Sequence, residues 1–119
     1  MPHRMTDPMA TRHVVVFVTC PNLRRANVLA KGVIAARLAA CVNIVPGISS
    51  VFWWKGRVDQ ANEVLLLMKT TRRLLPSLTR LVLRLHPYDL PEVIALPIAA
   101  GHPPYLAWIS DSVAASSSR

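Results

Sequence analysis

The order in which two kinds of apolar pattern alternate along this chain limits its fold more than any other feature. His13-Val-Val-Val-Phe-Val-Thr19 is a nearly continuous β-branched and aromatic run closed by Cys20-Pro21-Asn22, as expected of a strand buried on both faces. Ala26, Leu29, Val33, Ala36 and Ala40 then recur at spacings of three and four, with Arg24 and Lys31 on the opposite side, which predicts a helix capped by Asn22 and running to about Ala40. Cys41 to Val45 is apolar again, Ile48 to Val58 resumes as a strand, and the Pro46-Gly47 step between them predicts one long strand with a bulge or bend. Asp59-Gln60-Ala61-Asn62 is polar turn material before the strand Glu63 to Thr71, so this stretch is expected to form a hairpin. Leu74, Leu78, Leu81 and Leu85 mark a second helix with Arg73, Arg80 and Arg84 opposite, and Pro76 fits only in its first turn. His86-Pro87 ends that helix, Val93 to Pro97 reads as a short strand, and Pro103 to Ser112 as a last short helix.

The resulting order, β-α-β-β-α-β followed by an extra C-terminal helix, is the split β-α-β arrangement of ferredoxin-like α+β folds, with both main helices on one face of an antiparallel sheet. The other face is left bare. At 119 residues the chain has room for one domain, expected over residues 13–113, with residues 1–12 and 114–119 as disordered ends. Apolar residues make up 52% and charged residues only 17%, too little charge to solvate a small monomer with an uncovered sheet face. Self-association through that face is therefore expected.

Fourteen Lys and Arg against six Asp and Glu give a net charge of +8, and 11 of the 14 are Arg. Such a chain can meet nucleic acid, anionic lipid or a small anion, although a basic helix face often only solvates. An RRM-like surface needs aromatic and glycine residues where Val64-Leu65-Leu66-Leu67-Met68 stands, so no sequence-specific nucleic-acid partner is expected. No run approaches the ~18 apolar residues of a membrane span, so no membrane partner is expected either. Residues 1–12 lack an apolar targeting segment, and Cys20 and Cys41 show neither a CxxC pair nor disulfide-like clustering; a cytoplasmic, reducing location is expected. There is no nucleophile elbow, P-loop, GxGxxG or HExxH, so no enzymatic activity and no organic cofactor are expected.

Candidate binding residues gather in His86-Pro87-Tyr88-Asp89-Leu90-Pro91-Glu92, where two prolines stiffen a loop bearing an imidazole, a phenol and two carboxylates. The plainer alternative is a helix stop with His86 capping carbonyls. Cys20 and His86 together would offer a soft thiolate and an imidazole suited to copper or zinc, whereas a lone Cys is more often a small buried hydrophobe. In Trp53-Trp54 the two indoles must face opposite ways, so one looks out of the domain toward a neighbouring copy or a ligand. Lys69 could meet an anion or simply reach to water.

The segments Val18-Thr-Cys-Pro-Asn22, Arg37-Leu-Ala-Ala-Cys-Val-Asn43, Val45-Pro-Gly-Ile48, Trp54-Lys-Gly56, Lys69-Thr70, His86-Pro-Tyr88, Pro91-Glu-Val-Ile-Ala-Leu-Pro97 and Tyr105-Leu-x-Trp108 stand in one order over residues 13 to about 112. Jointly they resemble the CutA, or divalent-cation tolerance, proteins. The resemblance implies a stable homotrimer whose sheets pack around a three-fold axis, a role in metal homeostasis or response, and copper as the most probable ion. For copper, the resemblance to bacterial relatives implies a Cys near the end of strand one together with a His pair before Pro-Tyr. In this chain Val18 precedes Cys20 by two, and Leu85-His86 stands where some relatives have His-His. Only His86 thus carries over, with Cys20 and Glu92 as substitutes. The resemblance also implies inter-subunit clefts bearing Trp54, Lys69, Tyr88, Glu92, Tyr105 and Trp108. A small anionic ligand there is the alternative function.

Overall fold

The computed structural model describes residues 12–115. Its elements are β1 (His13–Cys20), α1 (Leu23–Ala35), β2 (Cys41–Trp54), β3 (Arg57–Thr71), a 3-10 turn (Arg72–Leu74), α2 (Leu75–Leu85), β4 (Val93–Pro97) and α3 (Pro103–Ser112). The strands form one sheet in the order β2-β3-β1-β4, and every neighbouring pair is antiparallel. This is the split β-α-β order read from the sequence, with α3 added. The expected loose ends lie outside the described residues apart from Arg12, Ala114 and Ala115.

Strand alternation divides the sheet's side chains between two surfaces. Val14, Val16, Val18 and Cys20 of β1 and Val64, Leu66 and Met68 of β3 are buried in one core with Ala26, Leu29 and Val33 of α1 and Leu78 and Val82 of α2. The intervening positions, Val15, Phe17, Leu65 and Leu67, belong to the second surface and are only partly buried. On that surface the register continues from Phe17 to Ile94 and from Val15 to Leu96 of β4, which are 52% and 44% exposed. The helix α3 lies over one end of it, burying Ile109 fully and bringing Ser110 Oγ within 2.8 Å of His13 Nε2. The rest is an apolar sheet face open to the outside.

Two boundaries differ from the sequence reading. The first helix ends at Ala35 and not near Ala40. Arg37 takes the left-handed φ of 59°, its amide bonds the Ile34 carbonyl at 3.0 Å, and the Leu38 amide bonds that of Val33 at 2.9 Å. That paired closure is the usual helix stop with Arg where Gly is customary, so the apolar repeat ran past an end that no glycine announced.

The hairpin turn is at Lys55-Gly56 and not at Asp59–Asn62. Lys55 and Gly56 both have positive φ, 50° and 77°, as a two-residue turn matching strand twist requires. Asp59, Gln60, Ala61 and Asn62 instead pair with Phe52, Val51, Ser50 and Ser49 inside the sheet. They read as a turn because polar residues suit an exposed two-stranded arm equally well. The expected irregularity at Pro46-Gly47 is present: the register shifts between Val45 and Ile48, with Gly47 at φ 78°.

Candidate functional site

A polar cluster sits where β1 runs out beneath the loop that follows α2. Asn22 accepts from the Arg25 amide at 2.9 Å and so starts α1 directly after Cys20-Pro21. At the end of α2 the His86 amide bonds the Val82 carbonyl at 2.9 Å, and the chain then turns extended, φ −79° and ψ 139°. This turn carries the imidazole back over β1. His86 Nε2 lies 2.7 Å from the Thr19 carbonyl and Nδ1 lies 3.1 Å from the Tyr88 amide. A carbonyl accepts and an amide donates, so the network assigns the ring proton to Nε2.

Tyr88 stacks beside that ring, centroids 4.7 Å apart at 51°, and its hydroxyl donates to Glu63 Oε2 at 2.7 Å. Burial, then the bond to Glu63, pushes the Tyr88 phenol well above its ordinary range. Cys20 is fully buried, with Sγ 3.8 Å from the Asn22 carbonyl. Burial pushes its thiol up, and the Glu63 carboxylate adds to that, so Cys20 is held as a thiol. Glu92 Oε1 stands 3.5 Å from Thr19 Oγ1, a long contact from an exposed carboxylate.

Of the three residues singled out as metal ligands, His86 and Glu92 both reach Thr19, next to Cys20, but strand alternation puts the Cys20 sulfur in the helix-side core and the Thr19 hydroxyl that meets Glu92 on the opposite face. Their donors do not form a ready ligand shell. Among the described residues no group of three or more His, Cys, Asp or Glu is arranged to hold an ion. Glu63 is the member that sequence reasoning missed, buried midway along β3 just before its apolar half. The signal available was a carboxylate preceding five consecutive apolar residues, where a charge needs a partner.

The other candidates lie elsewhere. Lys69 pairs in the sheet with Val15 and Cys41, toward the far end of β1, about 16 Å of strand from Cys20. Tyr105, placed by the first turn of α3, brings its hydroxyl to 3.4 Å from Lys69 Nζ, with the ring centroid at 5.5 Å, and lies 5.4 Å from the Trp108 ring. These three make a cation-aromatic platform on the partly open sheet face. Trp54 is at the tip of the hairpin, under Lys55 Nζ at 5.8 Å. One chain thus holds the six expected cleft residues in three separate places.

Residues 14–112 match the model of the family described as CutA1 divalent ion tolerance protein. The chain belongs to this family. Its relatives include Protein CutA of Mus musculus, 50% identical over 93 residues that cover 78% of this chain and 52% of the mouse protein. The divalent-cation tolerance protein CutA of Thermus thermophilus is 48% identical over 98 residues, 82% of this chain and 95% of that protein. The chain spans about half the length of the mouse relative but nearly all of the Thermus one. Among solved structures, CutA1 from Oryza sativa superposes with a TM-score of 0.86 at 50% identity, covering 90% of this chain and 98% of the other. In this CutA1-family chain three segments on which the sequence resemblance rests are structural landmarks: Val45-Pro46-Gly47-Ile48 is the bulge, Trp54-Lys55-Gly56 the hairpin tip, and His86-Pro87-Tyr88 the strap over β1.

Proposed function

We propose that this chain acts as a non-enzymatic, cytoplasmic homotrimer of the divalent-ion tolerance family that binds a divalent metal, copper first, in metal homeostasis or response. The metal reading is supported by the family description, divalent ion tolerance, and by the placement of His86 and Glu92 against Thr19, next to Cys20. A thiol sulfur and an imidazole are donors that favour copper, and the carboxylate adds charge. The metal is cargo here. An ion held by His86 Nδ1 would replace the 3.1 Å Tyr88 amide contact there, and a Cys20 ligand would have to lose its thiol proton, so affinity should rise with pH. Titration with Cu(II), and with Cu(I) under reducing conditions, tests the reading. Loss of binding in His86→Ala and weakening in the surface variant Glu92→Gln support it; unchanged affinity in both contradicts it.

The trimer reading rests on the open sheet face, where Phe17, Leu65, Leu67 and Ile94 need cover. A second reading is favoured by the Lys69–Tyr105–Trp108 platform, a cation against one aromatic ring that a second ring backs, beside that face. In a trimer, a neighbour's Trp54, Tyr88 and Glu92 would close it into a cleft for a small anionic ligand. A rise in melting temperature with an anionic metabolite, lost in Lys69→Ala, supports this reading.

A further inference from the structure

The two helical segments, residues 22–40 and 72–86, carry eight Arg and Lys, four in each, and no Asp or Glu. Nothing in either segment neutralises this charge. On α1 the buried residues Ala26, Leu29, Ala30 and Val33 face the sheet, so Arg24 and Lys31, both exposed and two turns apart, stand on the outer side. On α2 the buried residues are Leu78 and Val82, which puts the exposed Arg80 and Arg84 outward, with Arg73 in the preceding 3-10 turn. Arg73 is anchored to the Ala114 carbonyl at 2.8 Å and Arg80 to Ser77 Oγ at 3.1 Å, so two members of the row are held in place. The helices pack against each other, so the two cationic rows lie side by side on the outer surface of this layer.

We propose that this helical layer binds the phosphate backbone of duplex nucleic acid without reading its sequence. Packed helices usually lie roughly 8–10 Å apart axis to axis, the scale of a duplex groove roughly 6–12 Å wide. Arg, which supplies four of the five outward cations named above, grips phosphate through a planar fork. Neither segment contains Phe, Tyr or Trp. Single-stranded bases therefore find no stacking platform, and a bilayer finds no interfacial aromatic anchor. The layer lies on the side of the sheet away from the open apolar face, so copies meeting through that face leave it uncovered.

The test is fluorescence anisotropy of the full chain with a short mixed-sequence DNA duplex, with phosphatidylserine-containing vesicles as the competing surface. Affinity is expected to fall roughly 10²- to 10³-fold between about 50 and 200 mM salt, the behaviour of four or five neutralised phosphates. Lys31→Gln, Arg80→Gln and Arg84→Gln should each lower the slope of log affinity against log salt by about one. Lys55→Gln and Arg57→Gln, at the hairpin tip, should leave it unchanged. Absence of binding at the lowest salt overturns the proposal, as does an equal loss of slope in the hairpin variants, which would mean net charge alone. Tighter binding to vesicles than to the duplex overturns it in favour of a lipid surface.

Discussion

His86 Nε2 bonds the Thr19 carbonyl at 2.7 Å, fastening the loop after α2 to the last turn of chain in β1. The ring is 8% exposed, so the bond is shielded from water, and the same loop is held again where Tyr88 reaches Glu63. These two bonds span the cluster from helix to sheet. They make the loop a fixed part of the domain's end.

Tyr88→Phe removes the hydroxyl and leaves the buried Glu63 carboxylate without its 2.7 Å donor. A destabilisation of about 1–3 kcal/mol is expected, read as a lowered urea midpoint at fixed chain concentration. Tyr88→Phe combined with Glu63→Leu should recover part of that loss, because the unpaired charge is gone. No loss in the single variant would mean that water satisfies Glu63.

His13 adds a pH dependence. Burial, followed by the adjacent Arg12 charge, holds its imidazole below the ordinary value of 6.5. Between the folded and unfolded values the unfolded chain binds the extra proton, so stability is full above about pH 6.5 and is lost as pH falls through the folded value. Melting temperatures taken down through this window should fall less in His13→Gln than in the parent chain. Parallel curves would exclude His13 as the source.

Cys20, buried and with its thiol pushed up, should resist a thiol-specific reagent at neutral pH until denaturant is added. Labelling followed by mass mapping separates it from Cys41, which is less buried. Rapid native labelling of Cys20 would mean that the end of β1 opens in solution.

The hairpin tip gives a fourth expectation. Gly56 at φ 77° tolerates a side chain poorly, so Gly56→Ala should cost about 1 kcal/mol, whereas Lys55→Asn suits φ 50° and should raise stability by a few tenths of a kcal/mol. Thermal or urea unfolding of the two variants checks the opposite signs.

The element order and the core face were legible because β-branched runs and three-and-four spacing report directly on burial, as in Val14 to Val18 and Leu78 to Val82. Boundaries set by backbone geometry were not. Arg37 closes α1 in a conformation that its side chain does not advertise, and Lys55-Gly56 was absorbed into a strand because Asp59 to Asn62 looked more turn-like. In the site, the loop from His86 to Glu92 was visible as a concentration of polar groups between prolines. The pairing of Tyr88 with Glu63 was not, since it joins residues 25 apart across α2 through tertiary packing alone. The separation of Trp54, Lys69 and Tyr88 within the chain was equally hidden, because a resemblance in sequence does not say how far apart its residues lie in the fold.

On the bare side of the sheet Ile94 and Leu96 stand about half exposed beside Phe17 and Leu67. Size-exclusion chromatography with light scattering at micromolar concentration measures directly whether copies cover it. The predicted result is a particle of three times the chain's 13.1 kDa. A monodisperse particle of 13.1 kDa would contradict the assembly and the shared clefts together.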